Sequence, residues 1–196
     1  MNRPAVFLDR DGTVNEDLDF VTRPEDLHLL PGAASALKAL QDAGYLLIVV
    51  TNQSGVARGK LSEEQLCGIH EHLDELLEAQ GVQLTDYYYC PHHPTEGNDE
   101  IYTFSCRCRK PLPGLFLDAA QDYRVDLGRS FAVGDAVRDL QAAEAAGLRA
   151  LWVRSGRARE EELASASPAV HPIARCADLA EAARWILENA PAPGRR

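Results

Sequence analysis

The sequence contains no long apolar run. Its longest candidate, Tyr45 to Val50, is strand-sized and far short of the roughly 20 residues that span a bilayer. Nor is a secretory leader expected, since Met1-Asn2-Arg3-Pro4 leads directly into a short apolar segment and then into charged residues. Positive charge is scarce. Twenty Lys and Arg stand against 30 Asp and Glu, for a formal net charge of −10. Such a surface repels nucleic acid and anionic membrane, which excludes both as expected partners. A small phosphorylated molecule can still enter a locally cationic pocket. No disulfide framework is visible, because the cysteines number five and three of them, Cys90, Cys106 and Cys108, crowd into one loop. No internal repeat is seen, and a second domain is not expected. These absences lead to the expectation of a cytoplasmic, monomeric protein.

The chain that remains has 196 residues, 45% hydrophobic and 26% charged, which is ordinary for one soluble domain with a real core. Residues 1–190 are expected to form that domain, and the composition of 191–196 predicts a disordered tail. Along it, short apolar runs alternate with helical periodicity. Ala5 to Leu8, Leu46 to Val50, Asp86 to Tyr89, Phe131 to Val133 and Ala150 to Val153 read as strands. Helices are expected after Pro31-Gly32, after the capping box of Ser62 and Gln65, after Pro113, over Arg138 to Ala146 and over Leu179 to Leu187. Cys67 and Cys176 read as ordinary helix residues. The alternation predicts an α/β, Rossmann-like three-layer fold with a parallel central sheet, whose ligand site lies beyond the carboxyl ends of the strands. Asp9 and Asp11, Thr51 and Asn52, and Asp135 would gather there from three strands.

Asp9 and Asp11 follow a buried strand two residues apart, and Gly12 lets the backbone turn. Carboxylates crowded at a strand end repel one another unless a cation shares them. Asp9, Asp11 and Asp135 together suit Mg²⁺, a hard cation that prefers oxygen.

The polar stretch from Pro91 to Arg109 has neither helical nor strand period and is long for a loop. Cys90-Pro91-His92 and Cys106-Arg107-Cys108 give it a C-x-H…C-x-C pattern, two knuckles of the kind that hold tetrahedral zinc. All four positions filled by protein predict a structural site and a zinc-bound loop insertion over about residues 90–110. His93 competes with His92, which pair spacing favours. Such a loop would hold Arg109 and Lys110 at the acidic edge.

The segment Phe7 to Asn15 resembles the first motif of the haloacid-dehalogenase-like phosphatases. Thr51 to Gly55 resembles their second motif, Lys110-Pro111 the third, and Val133-Gly134-Asp135 with Asp139 the fourth. The resemblance implies Asp9 as nucleophile and Asp11 as acid and base, with the backbone carbonyl of Asp11 turned to the metal. It implies Thr51, Asn52 and Lys110 on the phosphoryl oxygens, Asp135 as metal carboxylate and Asp139 as an orienting group. With the zinc loop, the motifs resemble more narrowly the D-glycero-D-manno-heptose-1,7-bisphosphate 7-phosphatases. Those act through an aspartyl-phosphate and leave heptose 1-phosphate. Substrate contacts are then expected from Asp17, Leu18, Asp19, Phe20, Gln53, Ser54 and Arg109. Ala136 departs from the pattern, since some members carry lysine there. Histidinol-phosphate phosphatase is the competing enzyme, because Asp17 and Asp19 could suit an amine. A phosphoacceptor signalling domain is the competing non-enzyme, and Asp11 is the residue it would not need.

Overall fold

The computed structural model describes residues 2–190, so the expected tail at 191–196 lies outside the described residues. Six strands form one sheet: β1 Ala5–Leu8, β2 Leu46–Asn52, β3 Asp86–Cys90, β4 Phe131–Gly134, β5 Arg149–Val153 and β6 Ala174–Cys176. Their order is β3-β2-β1-β4-β5-β6, and every pairing is parallel.

Alternation of side chains about the strands builds two cores. Val6 and Leu8 of β1 face one core, with Leu37 and Leu40 of α1 (Ala33–Asp42), Leu66, Ile69 and Leu73 of α2 (Glu63–Glu78), and Ile186 of α6 (Leu179–Asn189). Ala5 and Phe7 face the other, with Phe116 of α3 (Gly114–Asp122) and Leu140 and Ala143 of α4 (Val137–Ala145). Phe7 meets Phe116 edge to face, with centroids 5.4 Å apart. The result is the expected three layers, with helices over both faces. A short α5 (Glu160–Ala164) adds Leu163 to the second core.

Ser62 caps α2 as its sequence predicts. Its hydroxyl accepts from Gln65 N at 3.1 Å, and its own N–H donates to the Gln65 side chain at 2.8 Å. Cys67 lies in α2, but Cys176 does not lie in a helix. It ends β6, a strand of three residues that pairs Cys176 with Val153. Three residues are too few for a period, so only the free edge of β5 makes this segment a strand.

The order of strands turns outward in both directions from β1 and β4. Crossovers leave on opposite sides there, which opens a crevice at the carboxyl ends. Asp9 follows β1 and Asp135 follows β4, so the topology alone puts these two carboxylates side by side.

Candidate active site

The parallel register fixes the depth of the acidic centre. Leu8 pairs with Val133, and Asp9 N donates to Val133 O at 2.9 Å. Asp9, Asp135 and Asp139 each bring one carboxylate oxygen into a group whose members lie within 4.8 Å of one another, and all three residues are buried. Burial pushes the Asp9 pKa up to about 6, helped by the charge of Asp139. Burial, then Asp9 and Asp139, pushes Asp135 up to about 8. Asp135 Oδ1 is buried with no hydrogen-bond partner. An unpartnered carboxylate oxygen beside a second buried carboxylate is what a hard divalent cation satisfies, so these residues fit magnesium.

The chain closes tightly round Asp135. Gly12 has φ +80°, and a Cβ on it would lie 3.0 Å from the Asp135 carboxyl carbon. A Cβ on Gly156 would lie 1.9 Å from Asp135 Oδ2. Arg157 N donates to that same oxygen at 3.3 Å.

Lys110 is the cation inside this group. Its ammonium lies 3.0 Å from Asp9 Oδ1, 2.7 Å from Asp139 Oδ1 and 2.8 Å from the carbonyl of Val50. Burial works against its charge, but Asp139 and Asp9 more than offset this and raise its pKa. Asp139 also accepts from Ala136 N at 2.9 Å, which caps the start of α4. Asn52 ties the Lys110 backbone to β2, with Nδ2 donating to Lys110 O and Oδ1 accepting from Lys110 N, both at 3.1 Å. Asn52 thus holds the lysine through its backbone, and the Thr51 hydroxyl accepts from Gln53 Nε2 at 2.9 Å.

Asp11 is held apart from the acidic group. Its carboxylate accepts from Arg10 Nε at 3.2 Å, from Arg10 Nη2 at 3.0 and 2.9 Å, from Asn15 Nδ2 at 2.9 Å and from Gln53 Nε2 at 2.9 Å. Burial raises its pKa, yet the Arg10 charge and the bonds from Asn15 and Gln53 outweigh burial and lower it. Gln53, expected to touch substrate, here joins Asp11 to Thr51.

The remaining expected contacts ring the mouth. Asp17 Oδ2 lies 3.2 Å from Arg157 Nε, and Asp19, at φ +69°, also pairs with Arg157. Leu18 is exposed. The Phe20 ring sits under Lys60, 4.0 Å from its centroid, with Arg58 at 5.9 Å. Ser54 is half-buried, and its carbonyl accepts from Arg58 N. Arg109 donates to His92 O at 3.0 Å. Sequence reasoning passed over Arg10, His70, Arg138, Gly156 and Arg157. Arg138, on the first turn of α4, lines a cleft with Asp17, Asp135 and Arg157, and only the count from Asp135 along a helix could have suggested it.

The second cluster is Cys90, His92, Cys106 and Cys108. Cys108 Sγ lies 3.3 Å from Cys90 Sγ and 3.1 Å from Cys106 Sγ, and Cys90 Sγ lies 3.5 Å from Cys106 Sγ. His92 Nδ1 is 3.6 Å from Cys90 Sγ and 3.3 Å from Cys108 Sγ. Ligands around zinc at its usual bond lengths stand about 3.7 Å apart, so the cluster is compatible with zinc. His93 turns elsewhere: its Nδ1 accepts from Glu96 N at 2.8 Å and Thr95 N at 3.3 Å.

A parallel sheet with this acidic edge, a buried lysine and a second aspartate two residues past the first defines a phosphoryl-transferring hydrolase of the haloacid-dehalogenase-like class. A family model described as "HAD-hyrolase-like" matches residues 107–182. The chain is 49% identical over 160 residues to a D-glycero-beta-D-manno-heptose-1,7-bisphosphate 7-phosphatase of Haemophilus ducreyi, covering 81% of this chain and 87% of that one. It is 44% identical to the protein of the same name in Photorhabdus laumondii, over 93% of this chain and 96% of that one. The crystal structure of D,D-heptose 1,7-bisphosphate phosphatase from B. bronchiseptica, complexed with magnesium and phosphate, superposes with a TM-score of 0.83. It is 39% identical and covers 95% of this chain and 99% of that one. The chain belongs to the D-glycero-beta-D-manno-heptose-1,7-bisphosphate 7-phosphatase family.

Proposed function

We propose that this chain hydrolyses the 7-phosphate of D-glycero-D-manno-heptose 1,7-bisphosphate to leave heptose 1-phosphate. The observation that carries this reading is the family itself: near-full-length relatives 42–49% identical bear that one name. The acidic centre supplies chemistry that agrees with it.

Asp9 is the nucleophile. Its Oδ1 accepts from Arg10 N at 2.8 Å and pairs with Lys110, which orients the carboxylate and keeps it anionic while it attacks phosphorus. The first displacement forms an aspartyl-phosphate and expels the sugar oxygen, and water then cleaves the acyl phosphate. Asp11, ionised in the free protein, takes up a proton as the anionic phosphate enters, gives it to the sugar oxygen in the first step, takes one from water in the second and releases it as phosphate leaves. Lys110 and the Thr51 hydroxyl face the charge that develops on the phosphoryl oxygens, and Asn52 fixes Lys110 for that purpose. Asp9, Asp135 and the backbone carbonyl of Asp11 would hold magnesium, which neutralises phosphate charge and strengthens the electrophile. The phosphate that stays on the sugar is anionic, and Arg109 is a planar donor suited to it. Asp17 and Asp19 are tied to Arg157, so an incoming amine would meet carboxylates already paired. That speaks for the bisphosphate over histidinol phosphate.

Zinc on Cys90, His92, Cys106 and Cys108 would pin the loop that carries Arg109 and Lys110. The enzyme is read as a cytoplasmic monomer, and among the described residues no helix is long and apolar enough to cross a membrane. The test is hydrolysis of the heptose bisphosphate and of histidinol phosphate, each with and without magnesium. A magnesium-dependent kcat/KM for the bisphosphate at least tenfold higher, about 1.4 kcal/mol in transition-state preference, is expected. The reverse ranking would overturn the substrate assignment.

A further inference from the structure

Arg10 is fully buried and lies beside the site without touching the nucleophile through its side chain. Its guanidinium is shared. The Nε and Nη2 edge faces Asp11, and Nη2 also donates to Gln53 Oε1 at 3.3 Å. Nη1 is directed the other way, to His70 Nε2 at 3.3 Å. A guanidinium has no acceptor, so His70 Nε2 must accept and its proton must sit on Nδ1. His70 comes from the middle of α2, where helical periodicity would place an apolar side chain, and it is buried. Its ring lies flat on Tyr87, centroids 4.2 Å apart at 10°, and edge-on to Tyr89 at 5.8 Å. Tyr87 is locked in turn, its hydroxyl donating to Asp74 at 2.8 Å. Burial, then the neighbouring Arg10 charge, holds the imidazole pKa down at about 3, so the ring stays a neutral acceptor.

Bonded only along its Nε and Nη2 edge, the guanidinium can pivot together with the Asp11 carboxylate it grips, whereas the bond at Nη1 anchors the opposite corner and leaves one orientation. We propose that His70 is a positioning residue for the phosphatase reaction: it fixes the rotation of the Arg10 guanidinium, which in turn aims the Asp11 carboxylate. This rests on the phosphatase reading and deepens it. Neither His70 nor Arg10 donates or removes a proton in the reaction. The proton moves between Asp11 and the sugar oxygen, and between water and Asp11, as before.

The test separates aim from bulk. His70→Phe keeps the ring on Tyr87 and deletes the acceptor, and His70→Gln restores an acceptor. Both are assayed with the heptose bisphosphate and with p-nitrophenyl phosphate. Because kcat/KM reports the steps up to leaving-group departure, it reads acid catalysis by Asp11 for an alkoxide and hardly at all for nitrophenolate. For H70F, kcat/KM on the sugar phosphate is expected to fall about tenfold, with the nitrophenyl ester within about twofold of the parent, and H70Q is expected to recover most of the loss. Equal losses on both substrates, no loss on either, or failure of H70Q to recover would overturn the proposal. If H70F does not fold, H70L, also without an acceptor, takes its place under the same criteria. A parent protein that cleaves the nitrophenyl ester but no sugar phosphate would sink the substrate assignment. His70 would then be judged on another alkyl phosphate that the parent cleaves.

Discussion

Gly156 shows how a residue without a side chain can set the properties of a metal site. The loop after β5 passes so close to Asp135 that a Cβ at this position would sit 1.9 Å from Oδ2. The atom it meets belongs to a buried carboxylate with little room to withdraw, because Gly12 presses on the same group from the first loop. Gly156→Ala must therefore move Asp135. The expected result is weaker magnesium binding by at least about tenfold, or about 1.4 kcal/mol, read as the magnesium concentration that half-saturates hydrolysis and by calorimetry. Unchanged binding would show that the close approach of this loop does not set the cation site. Nothing in the sequence marks Gly156, since a Ser-Gly dipeptide after a strand reads as a turn. Asp9 and Asp135 were legible because each ends an apolar run, where a charge is conspicuous, and Asp11 because it stands two residues past Asp9 before a glycine. Arg10 was hidden by standing between them. His70 was hidden because a histidine among apolar helix positions reads as core, and its meaning lies in Arg10, sixty residues away.

At the scale of elements, the same contrast holds between what has a period and what has a partner. The α2 helix announces itself by a capping box and a regular apolar stripe, and β2 by a β-branched run. The strand β6 has neither and exists through its register with β5. The loop from 91 to 113 contains no helix or strand, yet it delivers Lys110 to a buried position between Asp9 and Asp139. Among the contacts that hold it there are the paired bonds of Asn52 to Lys110, Asn98 on the carbonyls of Ala57 and Arg58, and Tyr102 on Glu63, and the cysteine–histidine cluster gathers its two ends. Of the cluster, the sequence showed the ligand types, and pair spacing favoured His92, but it did not show what turns His93 away. That depends on the turn at Thr95 and Glu96, whose N–H groups occupy His93. Elemental analysis is expected to find about one zinc per chain. Stripping it with a chelator and then restoring magnesium should expose 91–113 to proteolysis and leave hydrolysis abolished, because Lys110 leaves with the loop. A metal-free protein that resists protease as before would remove zinc from the account of this loop.

At the scale of the whole molecule, the acidic centre ties stability to pH and to magnesium. In the metal-free protein burial raises Asp135 from its ordinary 3.8 to about 8 and Asp9 from 3.8 to about 6. Between those limits the folded protein retains protons that the unfolded chain has released. The unfolded state then binds fewer protons, and stability must fall as pH rises. The stabilisation from these groups is complete below about pH 4 and is lost as pH climbs through the folded values, for Asp135 near 8. Magnesium needs the ionised carboxylates, so it competes with the same protons. Its stabilising effect is therefore smallest at acid pH and grows toward pH 8. Thermal unfolding of protein dialysed free of magnesium, with its zinc left in place, is expected to show Tm falling from about pH 5 to 8, with added magnesium restoring more of it at pH 8 than at pH 5. General repulsion in a chain of net charge −10 also lowers Tm as pH rises, so the slope alone does not identify its source. Asp135→Asn separates the two. The amide keeps the shape and cannot ionise, so the variant should lose much of the slope and most of the gain from magnesium, while repulsion elsewhere remains. A variant with the parent's slope and the parent's magnesium gain would mean that the coupling of proton, cation and fold does not run through the carboxylate that follows β4.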